Sequence, residues 1–145
     1  MNAVIEIQEL TSVEDWREAF PVMHELRQNL DELNYLQLLE RMTPEGYRLF
    51  ALRDSTVIVA LAGIGIHTNF YDDRHVWVYD LVTASYARSK GYGQRLLEFI
   101  EELGRQENCK LVALSSGLQR MDAHRFYEQR MGYTKSSYSF RKPLI

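Results

Sequence analysis

The run Arg88-Ser89-Lys90-Gly91-Tyr92-Gly93 lies between an apolar, strand-like stretch, residues 76–83, and a helix-like stretch, residues 94–105. It constrains the fold more than any other segment, because a strand has to turn into a helix there within a few residues. Its two glycines leave the backbone bare at the helix start, where the first amides have no partner within the helix. Unpaired N–H groups at the positive end of a helix dipole make an anion site, and the missing Cβ atoms let a phosphate come close. A glycine pair also suits an ordinary strand-to-helix turn, so the surrounding residues have to decide.

The dinucleotide-binding fingerprint needs a third glycine three residues on, where this chain has Leu96, and no acidic residue follows a strand at the required distance. The P-loop pattern fails too, because Lys90 precedes Gly91 instead of following a glycine into the helix. What remains, Arg-x-x-Gly-x-Gly, resembles the acyl-CoA-binding signature of the GCN5-related N-acetyltransferase (GNAT) family. Downstream, Ala123-His124-Arg125-Phe126-Tyr127-Glu128 followed by Gly132-Tyr133 resembles that family's last helix and the strand after it. The two segments stand in the family's order and spacing, with a helix and an apolar strand, residues 110–115, between them. The resemblance covers residues 57–144; the first fifty or so match in outline only.

Length and composition set the frame for either reading. A chain of 145 residues suffices for one domain that buries about two-thirds of the surface its unfolded form exposes. Hydrophobic residues at 46% and charged residues at 26% are ordinary globular values and argue against disorder. A net charge of −3 gives no general attraction to nucleic acid or an anionic membrane. One cysteine, Cys109, rules out an internal disulfide and a Cys-rich zinc site, which suits a reducing compartment. Residues 1–10 carry Glu6 and Glu9 and lack the basic start and apolar stretch of a signal peptide, and nothing nears the roughly 20 apolar residues of a membrane helix. A cytoplasmic location is expected.

Periodicity predicts the elements. Val4, Ile5 and Ile7 begin a strand; Thr11 or Ser12 can cap a helix carrying Trp16, Phe20, Met23, Leu26 and Leu30, which Pro21 should kink or split. A second helix covers residues 33–42. Residues 47–52 and 57–66 read as a hairpin around Arg53-Asp54-Ser55. In the next strand, alternation would place Val76, Val78, Asp80 and Val82 on one face and Trp77, Tyr79 and Leu81 on the other. After the glycine loop come a helix burying Leu96, Leu97, Ile100 and Leu103, an apolar strand 111–114, a helix 120–131 ended by Gly132, and a closing hairpin or bent strand over residues 133–142. The expected fold is a single α/β domain, 1–145, with a mixed, mostly antiparallel central sheet flanked by helices, the GNAT-like order.

Acetyl transfer from a thioester to an amine makes three demands: deprotonate the amine, stabilise the tetrahedral oxyanion and protonate the departing thiolate. A lysine-like amine with a pKa of about 10.4 is almost wholly protonated at neutral pH, so a proton acceptor helps. The resemblance implies Tyr127 as general acid for the thiolate. Asp80, a lone acid in an apolar strand, is the leading base, acting through water or holding a cationic amine; a salt-bridged structural carboxylate is the alternative. His75 and His124 read as surface or packing histidines. The resemblance further implies that the oxyanion and the pantetheine arm take backbone amides of the strand that holds Asp80, at Leu81 and Thr83 with Val82 between them. The diphosphate is expected on the amides of Arg88, Ser89, Lys90, Gly91, Tyr92, Gly93 and Gln94, with Arg88 and Lys90 adding charge. Many relatives carry an asparagine where this chain has Arg120; Ser115 and Ser116 could take over its contact with the CoA arm.

The resemblance thus implies an N-acetyltransferase using acetyl-CoA as co-substrate and needing no metal. Its acceptor would be the primary amine of a small molecule, or of a protein, with no nucleic-acid or membrane partner. The segment from Arg120 to Tyr127, with Tyr138, Phe140, Lys142 and Leu144, is most similar to a subgroup that includes small-amine and aminoalkylphosphonate acetyltransferases. Dimers are common in the family, so a homodimer is one of the assemblies the resemblance allows, and the oligomeric state stays open. A non-catalytic acyl-CoA sensor of the same fold is the competing reading; it would need neither Tyr127 nor Asp80.

Overall fold

The sheet's antiparallel strands keep their register except at two breaks, one at Leu52/Arg53 and one at Gly63/Ile64. The computed structural model describes residues 4–145, which divide into two units, one reaching to Ala113 and the other Leu114–Ile145. In the first, β1 (Ile5–Leu10), β2 (Arg48–Asp54), β3 (Val57–Asn69) and β4 (Asp73–Thr83) pair antiparallel in chain order. A helical crossover then brings β5 (Leu111–Leu114) to the β4 edge, completing a mixed, mostly antiparallel five-stranded sheet in the order β1 to β5.

The helices cover both faces. Helix α1 (Val13–Leu26) starts at Ser12, whose Oγ accepts the Asp15 amide at 3.1 Å. Pro21 sits inside it, yet the helix is one element; Pro21 and Arg17 are both exposed, so the carbonyl that Pro21 leaves unbonded is open to water. Helix α2 (Glu32–Met42) is capped by Asp31, which accepts from the Asn34 amide at 2.8 Å. Helix α3 (Tyr92–Gln106) buries Leu96, Leu97 and Ile100 completely. Gly104 lets it approach the sheet, for a Cβ there would stand 3.0 Å from a Val76 methyl. Ala19, Val22 and Met23 of α1 are buried in the same unit.

In the second unit, α4 (Met121–Arg125) continues into a wider, π-type turn over Phe126–Arg130, and Gly132 at φ +75° ends it, as the glycine predicts. The closing hairpin or bent strand is not found: residues 133–145 form no regular secondary structure. Tyr138, Phe140 and Leu144, the apolar face such a strand would bury, are 73%, 93% and 91% exposed, so burial does not hold them in a ladder.

Candidate active site

The register break between β3 and β4 shapes the site. Gly63 pairs with Asp80 while Ile64 pairs with Val78, so Tyr79 is an extra residue, a β-bulge. This corrects the expected faces. Asp80 lies with Trp77, opposite Gly65, and His75, opposite His67, not with Val76 and Val78; Leu81 moves to the valine side.

On its new face Asp80 is 9% exposed and fully engaged. Its Oδ1 accepts from Arg27 Nε at 2.9 Å, and its Oδ2 accepts from the Tyr47 hydroxyl at 2.8 Å. Arg27 follows the last turn of α1 and also donates from Nη2 to the Tyr79 carbonyl at 2.9 Å, which pins the bulge to the helix. Burial, and next the Asp80 charge, push the Tyr47 phenol well above its ordinary pKa, so it stays a donor. Asp80 is thus ion-paired, as the salt-bridged reading expects. Arg27 and Tyr47 fall within the stretch from about Leu26 to Tyr47 where the sequence places the amine site, yet nothing local singles them out as partners of Asp80 beyond the pair of glycines, Gly63 and Gly65, inside a strand.

Beyond the bulge, β4 turns backbone groups outward. The Ala84 amide donates to the Val59 carbonyl at 2.8 Å, and in an antiparallel pair every second residue bonds the same neighbour. Val82, paired with Leu61, therefore bonds β3, while Leu81 and Thr83 point their N–H and C=O groups to the other edge. Strand β5 does not cover them. It begins just after Lys110, whose amide donates to the Arg74 carbonyl, and its four residues span about 13 Å, against about 23 Å from Arg74 to Leu81.

This open edge leads into the glycine loop. Ser89 (φ +68°) and Gly91 (φ +79°) are left-handed, and no side chain caps the α3 N-terminus, so its first amides are free of side-chain acceptors. Around Gly91 there is open space, with nothing within 4 Å of a built Cβ. Gly93 is already helical, so it contributes the absence of a side chain and not an unusual φ. Tyr92 anchors the turn through its hydroxyl on Asp54 at the end of β2; that hydrogen bond raises the phenol's pKa. Glu25 of α1 accepts the Ser85 amide at 2.9 Å and lies 3.9 Å from Arg88, while Lys90 is exposed. Gln94 turns its side chain to Glu98 within the helix.

The second unit carries the remaining expected residues. Tyr127 is 8% exposed, between Phe126 and Tyr133 with ring centroids at 5.3 and 5.9 Å. Burial raises its pKa, opposed by the Arg120 charge, so the phenol holds its proton at neutral pH. The Ser116 hydroxyl oxygen is buried with no hydrogen-bond partner among the described residues. His124 donates from Nε2 to the Gly117 carbonyl at 2.8 Å, and buried His75 donates from Nδ1 to that of Asp73 at 2.8 Å; both are structural bonds.

Comparison with known sequences gives this geometry its context. The family model described as the acetyltransferase (GNAT) family matches residues 10–133. The chain belongs to the GNAT acetyltransferase family. It is 48% identical to an uncharacterized N-acetyltransferase, YhdJ, of Bacillus subtilis, with 97% of this chain and 100% of that protein covered. It is 32% identical to an aminoalkylphosphonate N-acetyltransferase of Salmonella typhimurium, covering 97% and 92%. In fold it matches the aminoglycoside N-acetyltransferase AAC(6')-Iy, solved in complex with CoA, with a TM-score of 0.85 at 14% identity over 100% and 98% of the two chains. As a GNAT enzyme the chain is an acetyl-CoA-dependent acetyltransferase. Residues of the first unit fit an acyl-CoA: outward amides on β4 and a left-handed glycine with open space around it. No described helix is long and apolar enough to cross a membrane.

Proposed function

We propose that this GNAT enzyme transfers the acetyl group of acetyl-CoA directly to the primary amine of a small molecule. The observation that carries the reading is the outward edge at Leu81 and Thr83, running straight into the uncapped start of α3. An extended pantetheine arm can add to that edge as a strand would, through the backbone of residues 81–83. The diphosphate then meets the amides from Arg88 to Gln94, where Gly91 and Gly93 present no Cβ and the helix dipole favours negative charge. Arg88 and Lys90 add charge, and Ser116 offers its hydroxyl to the CoA arm where Arg120 replaces the family's asparagine.

In the chemical step the neutral amine attacks the thioester carbonyl, the tetrahedral oxyanion is stabilised by strand amides and collapses with cleavage of the C–S bond, Tyr127 gives its proton to the leaving thiolate, and the proton shed by the acylated nitrogen passes through water to restore the phenol. Its raised pKa supports this role by keeping the phenol protonated until the thiolate forms. Asp80 enters as an electrostatic residue that holds Arg27 and the bulge in place. The relative that acts on aminoalkylphosphonates supports a small acceptor carrying both an amine and an acidic group.

The test is a panel of small amines, aminoalkylphosphonates among them, with acetyl-CoA and detection of released thiol, beside calorimetric titration of acetyl-CoA. Turnover on a small amine is expected. Tight acetyl-CoA binding without thiol release on any amine would instead identify a sensor.

A further inference from the structure

His67 and Tyr79 form a pair that the roles assigned above do not use. Tyr79 is the extra residue of the bulge, and its hydroxyl lies 2.8 Å from His67 Nε2, with the two rings edge to face at 6.0 Å. Position 65 beside them is glycine. A Cβ there would stand 2.6 Å from His67 Nε2 and 3.1 Å from Tyr79 Cε2, so the pair occupies space that any other residue would fill. Tyr79 is 40% exposed, which leaves its hydroxyl within reach of a ligand, and Arg27 fixes its backbone.

The other titratable and charged groups around the pair all have partners. His75, across β4 with its ring 6.3 Å from that of His67, donates to Asp73. Tyr47, ahead of β2 with its ring 5.7 Å from that of Tyr79, donates to Asp80, and Asp80 is paired with Arg27 from α1. Of these groups, His67 is the base whose lone pair meets a hydroxyl that can hand a proton on.

We infer that Tyr79 and His67 form the relay that takes the proton from the acceptor ammonium, an inference that rests on the acetyl-transfer reading. The ammonium donates to the Tyr79 oxygen while the Tyr79 O–H points to His67 Nε2. As the amine N–H bond breaks, its electron pair stays on nitrogen and becomes the nucleophile. The proton forms a new O–H bond on Tyr79, whose former proton forms an N–H bond on His67. The phenol is restored, the imidazole becomes imidazolium, and His67, partly exposed, releases the proton to water. Tyr79 touches the substrate; His67 acts through it. This placement gives the half of the site before Leu81 to the amine and the half after it to the thioester.

The experiment is the pH profile of kcat/KM for the best amine from the panel, in wild type, His67→Gln and Tyr79→Phe, with acetyl-CoA affinity measured on each. Protonation of the acceptor gives the wild-type profile an acidic limb. Each variant should lose about 100-fold in kcat/KM near pH 7 and lose that limb, with acetyl-CoA affinity within about twofold. Added imidazole should restore part of the rate to His67→Ala. An active wild type whose acidic limb survives in both variants overturns the relay alone. A wild type that acetylates no amine overturns the acetyl-transfer reading and the relay with it.

Discussion

The Tyr47 hydroxyl lies where a side chain on Gly63 would begin, 1.8 Å from a built Cβ, and from there it donates to Asp80. Glycine at 63 is therefore the condition for the Tyr47–Asp80–Arg27 network. Gly63→Ala should force Tyr47 off Asp80 and lower stability by about 1–3 kcal/mol, read from urea unfolding. An unchanged unfolding midpoint would mean that Tyr47 has room to move.

Arg27 and Asp80 are 53 residues apart in sequence and joined at 2.9 Å, with Asp80 side chain 10% and Arg27 side chain 45% exposed. Removing one partner of a fully buried pair costs about 3–5 kcal/mol, and solvent screening at Arg27 reduces this. Arg27→Ala should cost about 1–2 kcal/mol, and Asp80→Asn in that background should cost less than it does alone. A double-mutant cycle measures the coupling, and strict additivity would dismiss the pair.

Tyr35 and Tyr47 both have phenols pushed up mainly by burial, so the folded state favours their neutral forms. Their contribution to stability is complete below the unfolded value of about 10 and is lost as pH rises above it toward the folded values. Unfolding free energy should thus fall from about pH 10 upward, and ultraviolet titration should show these phenols ionising together with unfolding. Ionisation near pH 10 in the intact fold would contradict the burial assigned to them.

Gly91 and Gly93 differ in what they supply, one a left-handed backbone and the other bare helix. Gly91→Val should cost about 1–2 kcal/mol of stability, while Gly93→Val should barely affect it. Both should weaken acetyl-CoA binding at least about tenfold, because each puts a branched side chain where phosphate approaches. Calorimetry alongside thermal unfolding separates the two effects.

Tyr127→Phe should lower kcat by about 100-fold and leave acetyl-CoA affinity nearly unchanged. Unaltered turnover would hand the thiolate's proton to another donor or to water.

The glycine loop, α3 and the strand leading to them were legible because their signals are local: two glycines, a 3.6-residue stripe and a β-branched run. The bulge was not, since nothing in residues 76–83 marks where an extra residue enters; that depends on how Gly63 and Ile64 pair from the next strand. The error on Asp80 followed directly, and its partners stayed hidden because Arg27 and Tyr47 come near it only through the packing of α1 and the start of β2. Of the two effects expected of Pro21, a kink or a split, the split does not occur, since α1 is one element. The closing hairpin or bent strand expected over residues 133–142 does not form, and Tyr138 and Phe140 within it stay exposed.

The bulge at Tyr79 is a phase shift written into a single strand. Without it Asp80 would face Ala62, and Leu81, opposite Leu61, would spend its amide on β3 in place of Val82. Ahead of the shift the strand keeps one phase of pairing with β3; behind it, Leu81 and Thr83 turn their peptide groups to an open edge. One added residue thereby decides which acid the sheet displays and which peptide groups it leaves open, so the position of Tyr79 in the chain matters as much as its phenol.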